Sequence, residues 1–174
     1  GIKGAPVVWE NVERYISDTC LDRMKIVQAP PTGRRAAIIG SGPTGLTAAI
    51  RLAAHGHDVT IFEAENKLGG MLRYGIPEFR LPKSILDRYT VLIKKAGIHL
   101  RLNTAIGTSL AIPDLFRDGY DAVFIATGLW RARPLNVPGE SLPNVCYGIH
   151  YLASPESFDI GKRVAVIGTG KTAM

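Results

Sequence analysis

An α/β fold with a mainly parallel sheet is what this 174-residue sequence predicts. Three observations carry that prediction. Apolar runs such as Ala36-Ala37-Ile38-Ile39 and Ala122-Val123-Phe124-Ile125 read as strands covered on both faces. They alternate with segments of helical spacing. Two apolar runs lead straight into glycine-rich turns, Gly40-Ser41-Gly42-Pro43-Thr44-Gly45 and Gly168-Thr169-Gly170-Lys171-Thr172-Ala173.

The elements follow in order. In residues 8–16, Val8, Val12, Tyr15 and Ile16 share one side of a short amphipathic helix, and a further helical turn follows Ser17-Asp18-Thr19. Gln28-Ala29-Pro30-Pro31-Thr32-Gly33 is a linker by composition. Residues 36–39 form a strand and residues 43–55 a helix. Ala48, Ala49, Leu52 and Ala53 give that helix a small face for close approach to the sheet, and Gly56 supplies its left-handed stop. Asp58-Val59-Thr60-Ile61-Phe62-Glu63 is the next strand, so residues 36–63 make one βαβ unit. Residues 83–96 are helical, with Ile85, Leu86, Tyr89, Leu92 and Ile93 at helical spacing and Gly97 behind them. A short strand over 98–102, a brief helix over 112–117 and a buried strand over 121–125 complete the first unit. Prolines 134, 138 and 143 punctuate a connection to the run Val164-Ala165-Val166-Ile167, read as a strand. The predicted division is an arm and linker over 1–35, a complete unit over 36–140, and a connection with the truncated start of a second unit over 141–174.

Composition excludes several classes. A hydrophobic fraction of 46% and a charged fraction of 21% are those of an ordinary globular protein. The net charge of +6 is dispersed, without a basic run interleaved with aromatics, so no nucleic-acid partner is expected. Attraction of anionic cofactors or an acidic partner is the better use of the charge. Cys20 and Cys146 form no Cys-x-x-Cys, which leaves no redox dithiol and no metal or cluster ligand set. Reduced thiols, no apolar stretch of spanning length and no signal-peptide pattern point to a cytoplasmic protein.

The first turn carries the chemistry. Gly40 permits a tight turn, Gly42 lets backbone approach phosphates, and Gly45 lets the helix lie close to the strand. The helix N-terminus offers free N–H groups and partial positive charge to a pyrophosphate. Glu63, ending the second strand, is placed to accept bonds from ribose hydroxyls and would repel a 2′-phosphate. The unit is therefore a Rossmann-like dinucleotide site whose ligand is not NADP. The Gly69-Gly70 pair after the acid, and Pro43 inside the turn, favour FAD over NAD. Two such turns imply two dinucleotides, a flavin and a nicotinamide, with the possible NAD(P) contacts at Gly168, Gly170, Lys171 and Thr172.

The segment Gly69-Gly70-Met71-Leu72-Arg73-Tyr74-Gly75-Ile76-Pro77-Glu78-Phe79-Arg80-Leu81-Pro82-Lys83 resembles the signature of the glutamate synthase small subunit family. That family includes the flavin domains of dihydropyrimidine dehydrogenase and NADH-dependent ferredoxin:NADP oxidoreductase. Ala126-Thr127-Gly128 resembles the motif at which such flavoproteins cross between domains, and residues 164–174 resemble their NAD(P)H-binding turn. The resemblance implies an FAD-binding portion of an NAD(P)H-dependent oxidoreductase, with NADP or NAD used in the intact protein. Electrons would leave to an iron–sulfur domain or a larger catalytic subunit. It also implies residue roles. Gly40, Ser41, Gly42, Pro43, Thr44 and Gly45 would hold the pyrophosphate, and Glu63 the adenosine ribose. Gly70, Met71 and Leu72 would lie along the flavin, with Arg80 near it. Ile106 would meet the adenine through its backbone, and Thr127 and Gly128 would line the cofactor. Met71, Leu72 and Ile106 equally fit core packing, and Arg80 a surface ion pair. No side chain is identified as catalytic, since the flavin carries the chemistry.

The family's iron–sulfur cysteines are not in this sequence, and its members continue past the second turn. The chain is therefore expected to be part of a longer polypeptide and inactive alone. The competing expectation is an inert dinucleotide-binding or interaction module. Residues 163–174 are expected to dock on the flavin unit, to pair with another copy in a homo-oligomer, or to fray.

Overall fold

The computed structural model describes residues 7–170, 172 and 173. Lys171, one of the residues proposed from sequence for NAD(P), lies outside them. Four strands, β1 (Arg35–Ile39), β2 (Asp58–Phe62), β3 (His99–Arg101) and β4 (Ala122–Ile125), form one sheet among the described residues. Their order is β3-β2-β1-β4 and all neighbours are parallel. The helices are α1 (Trp9–Cys20), α2 (Pro43–Ala54), α3 (Met71–Tyr74), α4 (Lys83–Lys95), α5 (Ile112–Arg117) and α6 (Gly148–Ala153). The expected βαβ unit is β1-α2-β2, with Arg35 to Ile39 registered against Asp58 to Phe62. No helix among the described residues is long and apolar enough to cross a membrane.

The central strands are covered on both faces, as their unbroken apolar pattern requires. Ile38, Val59 and Ile61 meet Leu46, Ala49 and Ala53 of α2 and Ile93 of α4 on one face. Ala37, Ile39 and Phe62 meet Leu115 of α5 and Tyr120 on the other. The Phe62 and Tyr120 rings stand edge to face at 5.7 Å. The Arg35 guanidinium lies 4.4 Å from the Tyr120 ring centre and donates to Asp118 O at 2.6 Å. Arg35 thus has a structural use.

The compositional linker is fastened down. Ala29 N–H donates to Ala54 O, Thr32 N–H to Gly56 O, and the Gln28 side chain to Ala96 O. It therefore lies across the C-terminal ends of α2 and α4. Gly56, at φ +82, is required twice over: a Cβ there would stand 2.2 Å from Pro30 O. The arm helix α1 buries none of its residues, and Trp9 is 71% exposed. Arg88 of α4 reaches back to Asp18 O and to the Asp22 carboxylate.

Two expectations need correction. The strand over 121–125 is not buried: Phe124 is 43% and Ile125 61% exposed. Its place at the sheet edge explains this, since among the described residues only β1 flanks it. Residues 164–167 form no strand, and Val164, Val166 and Ile167 are all exposed. A parallel strand needs a ladder partner for its backbone groups, and none is supplied among the described residues.

Candidate functional site

Parallel winding puts the loops that follow the strands at one end of the sheet, beyond the strands' carboxyl ends. In such sheets ligands bind beyond the carboxyl ends of the strands, where the winding direction changes. Here β1 runs on to β2 and β3 on one side and has β4 on the other. The first glycine-rich turn leaves β1 at that switch.

Each glycine of the turn has its own reason. Gly40 sits at φ +101, and a Cβ on it would lie 2.4 Å from Ala126 O at the end of β4. A Cβ on Gly45 would lie 2.0 Å from Gly40 O and 3.3 Å from Ile38 Cγ2, so this glycine permits the helix to seat on its strand. Gly42 differs: φ is −69 and a Cβ there would meet nothing within 4 Å. The fold itself does not require Gly42. Open space beside backbone at a helix start is what an approaching pyrophosphate needs. No side chain caps α2, and Pro43 occupies its first turn, where its missing N–H costs nothing. The remaining first-turn donors, Thr44 and Gly45 N–H, have no intrahelical acceptor by geometry.

Glu63 and the paired glycines converge on the same turn. Gly69 and Gly70 have φ of +128 and +52, and a Cβ on Gly70 would lie 2.9 Å from Gly42 Cα. The two glycine segments are thus in contact, backbone to backbone. Glu63 is 7% exposed. Its Oε2 accepts Ser41 N–H at 2.9 Å and the Ser41 hydroxyl at 2.5 Å; its Oε1 accepts Glu65 N–H at 2.9 Å. Ser41 is itself buried, and its Oγ accepts Gly69 N–H at 3.1 Å. Pro43 and Thr44 are exposed on the open side.

Beside Glu63 lies a cavity of about 480 Å³ lined by Ala64, Glu65, Asn66, Tyr74, Asn103, Trp130, Ala153 and Ser154. Tyr74 and Trp130 form an edge-to-face pair at 6.2 Å, and the Tyr74 hydroxyl donates to Asn66 Oδ1. Burial raises the Tyr74 phenol above its ordinary pKa, and the Glu65 carboxylate adds to this. Sequence reasoning missed this wall. Trp130 follows the Ala126-Thr127-Gly128 motif, and only the fold brings it to Tyr74.

The other expected residues are distributed as follows. Thr127 and Gly128 are exposed just past β4, with Gly128 at φ +74. Met71 and Leu72 open α3 directly after Gly70. Ile106 bridges to Leu110 and packs on the Phe62 cluster, away from the cavity lining. Arg80 is exposed in the turn after α3. Gly168 has φ +135, like Gly40 on the positive side, but Gly168 and Gly170 are exposed and follow no strand. Thr172 Cγ2 would lie 3.5 Å from a Cβ on Gly148.

Residues 69–83 also contain a scaffold that was not read from sequence. Buried Arg73 donates to Leu68 O at 2.6 Å and pairs with Asp87 of α4 at 2.7 Å. Lys83 Nζ donates to Leu72 O at 2.9 Å and to Ile76 O, closing off α3. Lys83 N–H donates to Glu78 Oε1 at 3.0 Å. Burial pushes the Lys83 ammonium below its ordinary pKa; Glu78 opposes that and Arg73 reinforces it. These bonds tie α3 and the residues beside it to the start of α4, while Gly69 is held to the first turn by its own N–H, which donates to Ser41.

The sequence profile of the pyridine nucleotide-disulphide oxidoreductase family matches residues 6–110 and 34–174. Among curated relatives, the glutamate synthase [NADPH] small chain of Azospirillum brasilense is 35% identical over 94% of this chain and 38% of its own length. The NADP(+)-dependent formate dehydrogenase subunit beta of Moorella thermoacetica is 44% identical over 84% of this chain and 21% of its own. The chain thus spans well under half the length of these relatives. Among solved structures, Mycobacterium tuberculosis FprA in complex with NADPH superimposes with a TM-score of 0.62 at 27% identity, covering 72% of this chain and 28% of that one. A 2-naphthoyl-CoA reductase complex gives 0.61 at 29% identity, covering 78% and 20%.

Proposed function

This chain belongs to the pyridine nucleotide-disulphide oxidoreductase family, and on that premise we propose that its glycine-rich crevice holds FAD within an NAD(P)H-dependent flavoprotein oxidoreductase. The observation that carries the reading is the convergence of Gly42, Gly70 and Glu63. Open backbone, a second glycine segment in contact and a fixed carboxylate meet at the switch point of the sheet. When bound, the flavin supplies a two-electron acceptor that can also release electrons singly.

The chain's own residues bind and orient it. Thr44 and Gly45 N–H face the pyrophosphate at the positive end of α2. Glu63 accepts from the adenosine ribose through Oε1, which among the described residues has taken only Glu65 N–H. Gly40 and Ser41 shape the turn, and Pro43 fixes the start of α2. Gly70, Met71 and Leu72 lie along the flavin side, with Arg80 beyond them. Ile106 presents backbone toward the adenine, and Thr127 and Gly128 close the crevice behind β4. Residues 36–140 are the flavin unit and 141–174 begin the nicotinamide unit. Gly168, Gly170, Lys171 and Thr172 would there meet NADP or NAD. In the longer protein, electrons pass to an iron–sulfur centre or partner subunit; relatives named as glutamate synthase small chain and formate dehydrogenase subunit beta support a place in a larger assembly.

Titration of the chain with FAD, read by visible flavin absorbance and fluorescence quenching, tests the proposal. Saturable binding with a shifted flavin spectrum is expected. A colourless chain that leaves the free-flavin spectrum unchanged refutes it and favours an interaction module.

A further inference from the structure

Ser41 is the middle residue of a Gly-x-Gly pair, a position where a side chain is expected to face either the ligand or solvent. It does neither. The residue is fully buried beneath the turn, so its hydroxyl cannot touch a ligand. A serine hydroxyl offers one donor and two acceptor sites. The donor goes to Glu63 Oε2, and one acceptor site takes Gly69 N–H. Ser41 N–H goes to the same Oε2. One residue therefore ties the turn after β1 to the end of β2 and to the start of the Gly69-Gly70 segment. No other hydroxyl reaches Glu63 among the described hydrogen bonds.

We propose that Ser41 is a positioning residue of the cofactor site, whose hydroxyl commits one oxygen of Glu63 inward so that the other meets the ribose in a fixed orientation. The inference rests on the FAD reading above and deepens it. Each carboxylate oxygen has about two acceptor positions. Oε2 is filled by the two Ser41 donors, and Oε1 keeps a position beyond the Glu65 N–H bond. Without the hydroxyl, Oε2 retains a single donor and becomes free to turn toward ligand or water. Gly69 N–H would keep only its longer contact with Ser41 O, at 3.2 Å. The Gly69-Gly70 backbone, which lies against Gly42, would then be held to the turn by that one contact. Preorganisation of a binding group cuts the ordering cost of association, so its loss is read in affinity.

The test is a double-mutant cycle in FAD affinity with wild type, Ser41→Ala, Glu63→Ala and the double variant. Ser41→Ala is expected to raise the Kd about tenfold, the loss of a bond to a charged group. In the Glu63→Ala background, the same change is expected to cost less than about threefold, because the side chain it positions is gone. Equal losses in both backgrounds would mean that Ser41 acts only through general packing, and would overturn the inference. So would an unchanged Kd in the first background. Ser41→Gly deletes the same hydroxyl and serves if the alanine variant does not fold. Failure of the wild-type chain to bind FAD would overturn the cofactor reading itself, a result distinct from either outcome of the cycle.

Discussion

Replacing Gly42 by alanine separates the demands of the fold from those of the ligand. The residue has φ −69 and ψ −179, which alanine adopts without strain. Its new methyl would meet nothing within 4 Å. The ligand-free chain should therefore lose no stability, and should gain about 0.4–1 kcal/mol from a stiffer unfolded state. On the proposed FAD reading the bound state differs, because the methyl would enter the open space beside the backbone that the pyrophosphate is proposed to take. Overfilling a fitted site costs about 1–3 kcal/mol. At about 1.4 kcal/mol per tenfold, the FAD Kd should rise roughly five- to 150-fold. Gly45→Ala is the contrasting change. Its methyl would lie 2.0 Å from Gly40 O, so main chain must move. Its cost appears in the ligand-free protein as a loss of about 1–3 kcal/mol or more. That corresponds to a melting temperature lowered by roughly 2–4 °C per kcal/mol for a chain of this size. Thermal unfolding by circular dichroism, paired with FAD titration, reads both variants. A Gly42→Ala chain that melts lower yet binds FAD as tightly as wild type would refute the reasoning.

Three further outcomes are expected. Arg73→Ala should lower stability by about 1.5–3 kcal/mol, because Leu68 O loses its charged donor while exposed Asp87 returns to water; an unchanged denaturant midpoint would remove Arg73 from the scaffold. Arg88→Ala should change global stability by less than about 1 kcal/mol, since its partner Asp22 is 72% exposed. It should nevertheless speed amide hydrogen exchange across α1, and unaltered exchange there would show that the arm is held elsewhere. The chain loaded with FAD should oxidise NAD(P)H far below a typical turnover of about 10 per second, because Gly168 and Gly170 stand exposed without a strand beneath them; a steady-state dye-reduction assay near that rate would contradict this.

What the sequence determined by itself was what depends on local spacing. The βαβ unit over residues 36–63, the glycines ending α2 and α4, and the α5 helix all follow from apolar period and turn chemistry, and each stands where those signals put it. The parallel sheet follows from the alternation of strands and helices. Burial of β4 did not follow, because an apolar run records what a strand can be covered by, and not which edge of a sheet it takes. The run at 164–167 shows the same limit: its residues are strand formers, but a strand exists only with a partner for its backbone. The site divides likewise. Gly40, Gly42, Gly45 and Glu63, the residues proposed to meet the cofactor, are marked by their spacing, since all four lie within one supersecondary unit. The bond from Gly69 to the buried Ser41 hydroxyl, the pairing of Arg73 with Asp87, and the Tyr74–Trp130 wall join segments that no single local unit contains. Hydrogen bonds and ring contacts across such separations leave no period in the chain. Tertiary structure alone decided them, because a buried hydroxyl or guanidinium takes the acceptors that packing brings within reach, whatever their distance along the sequence.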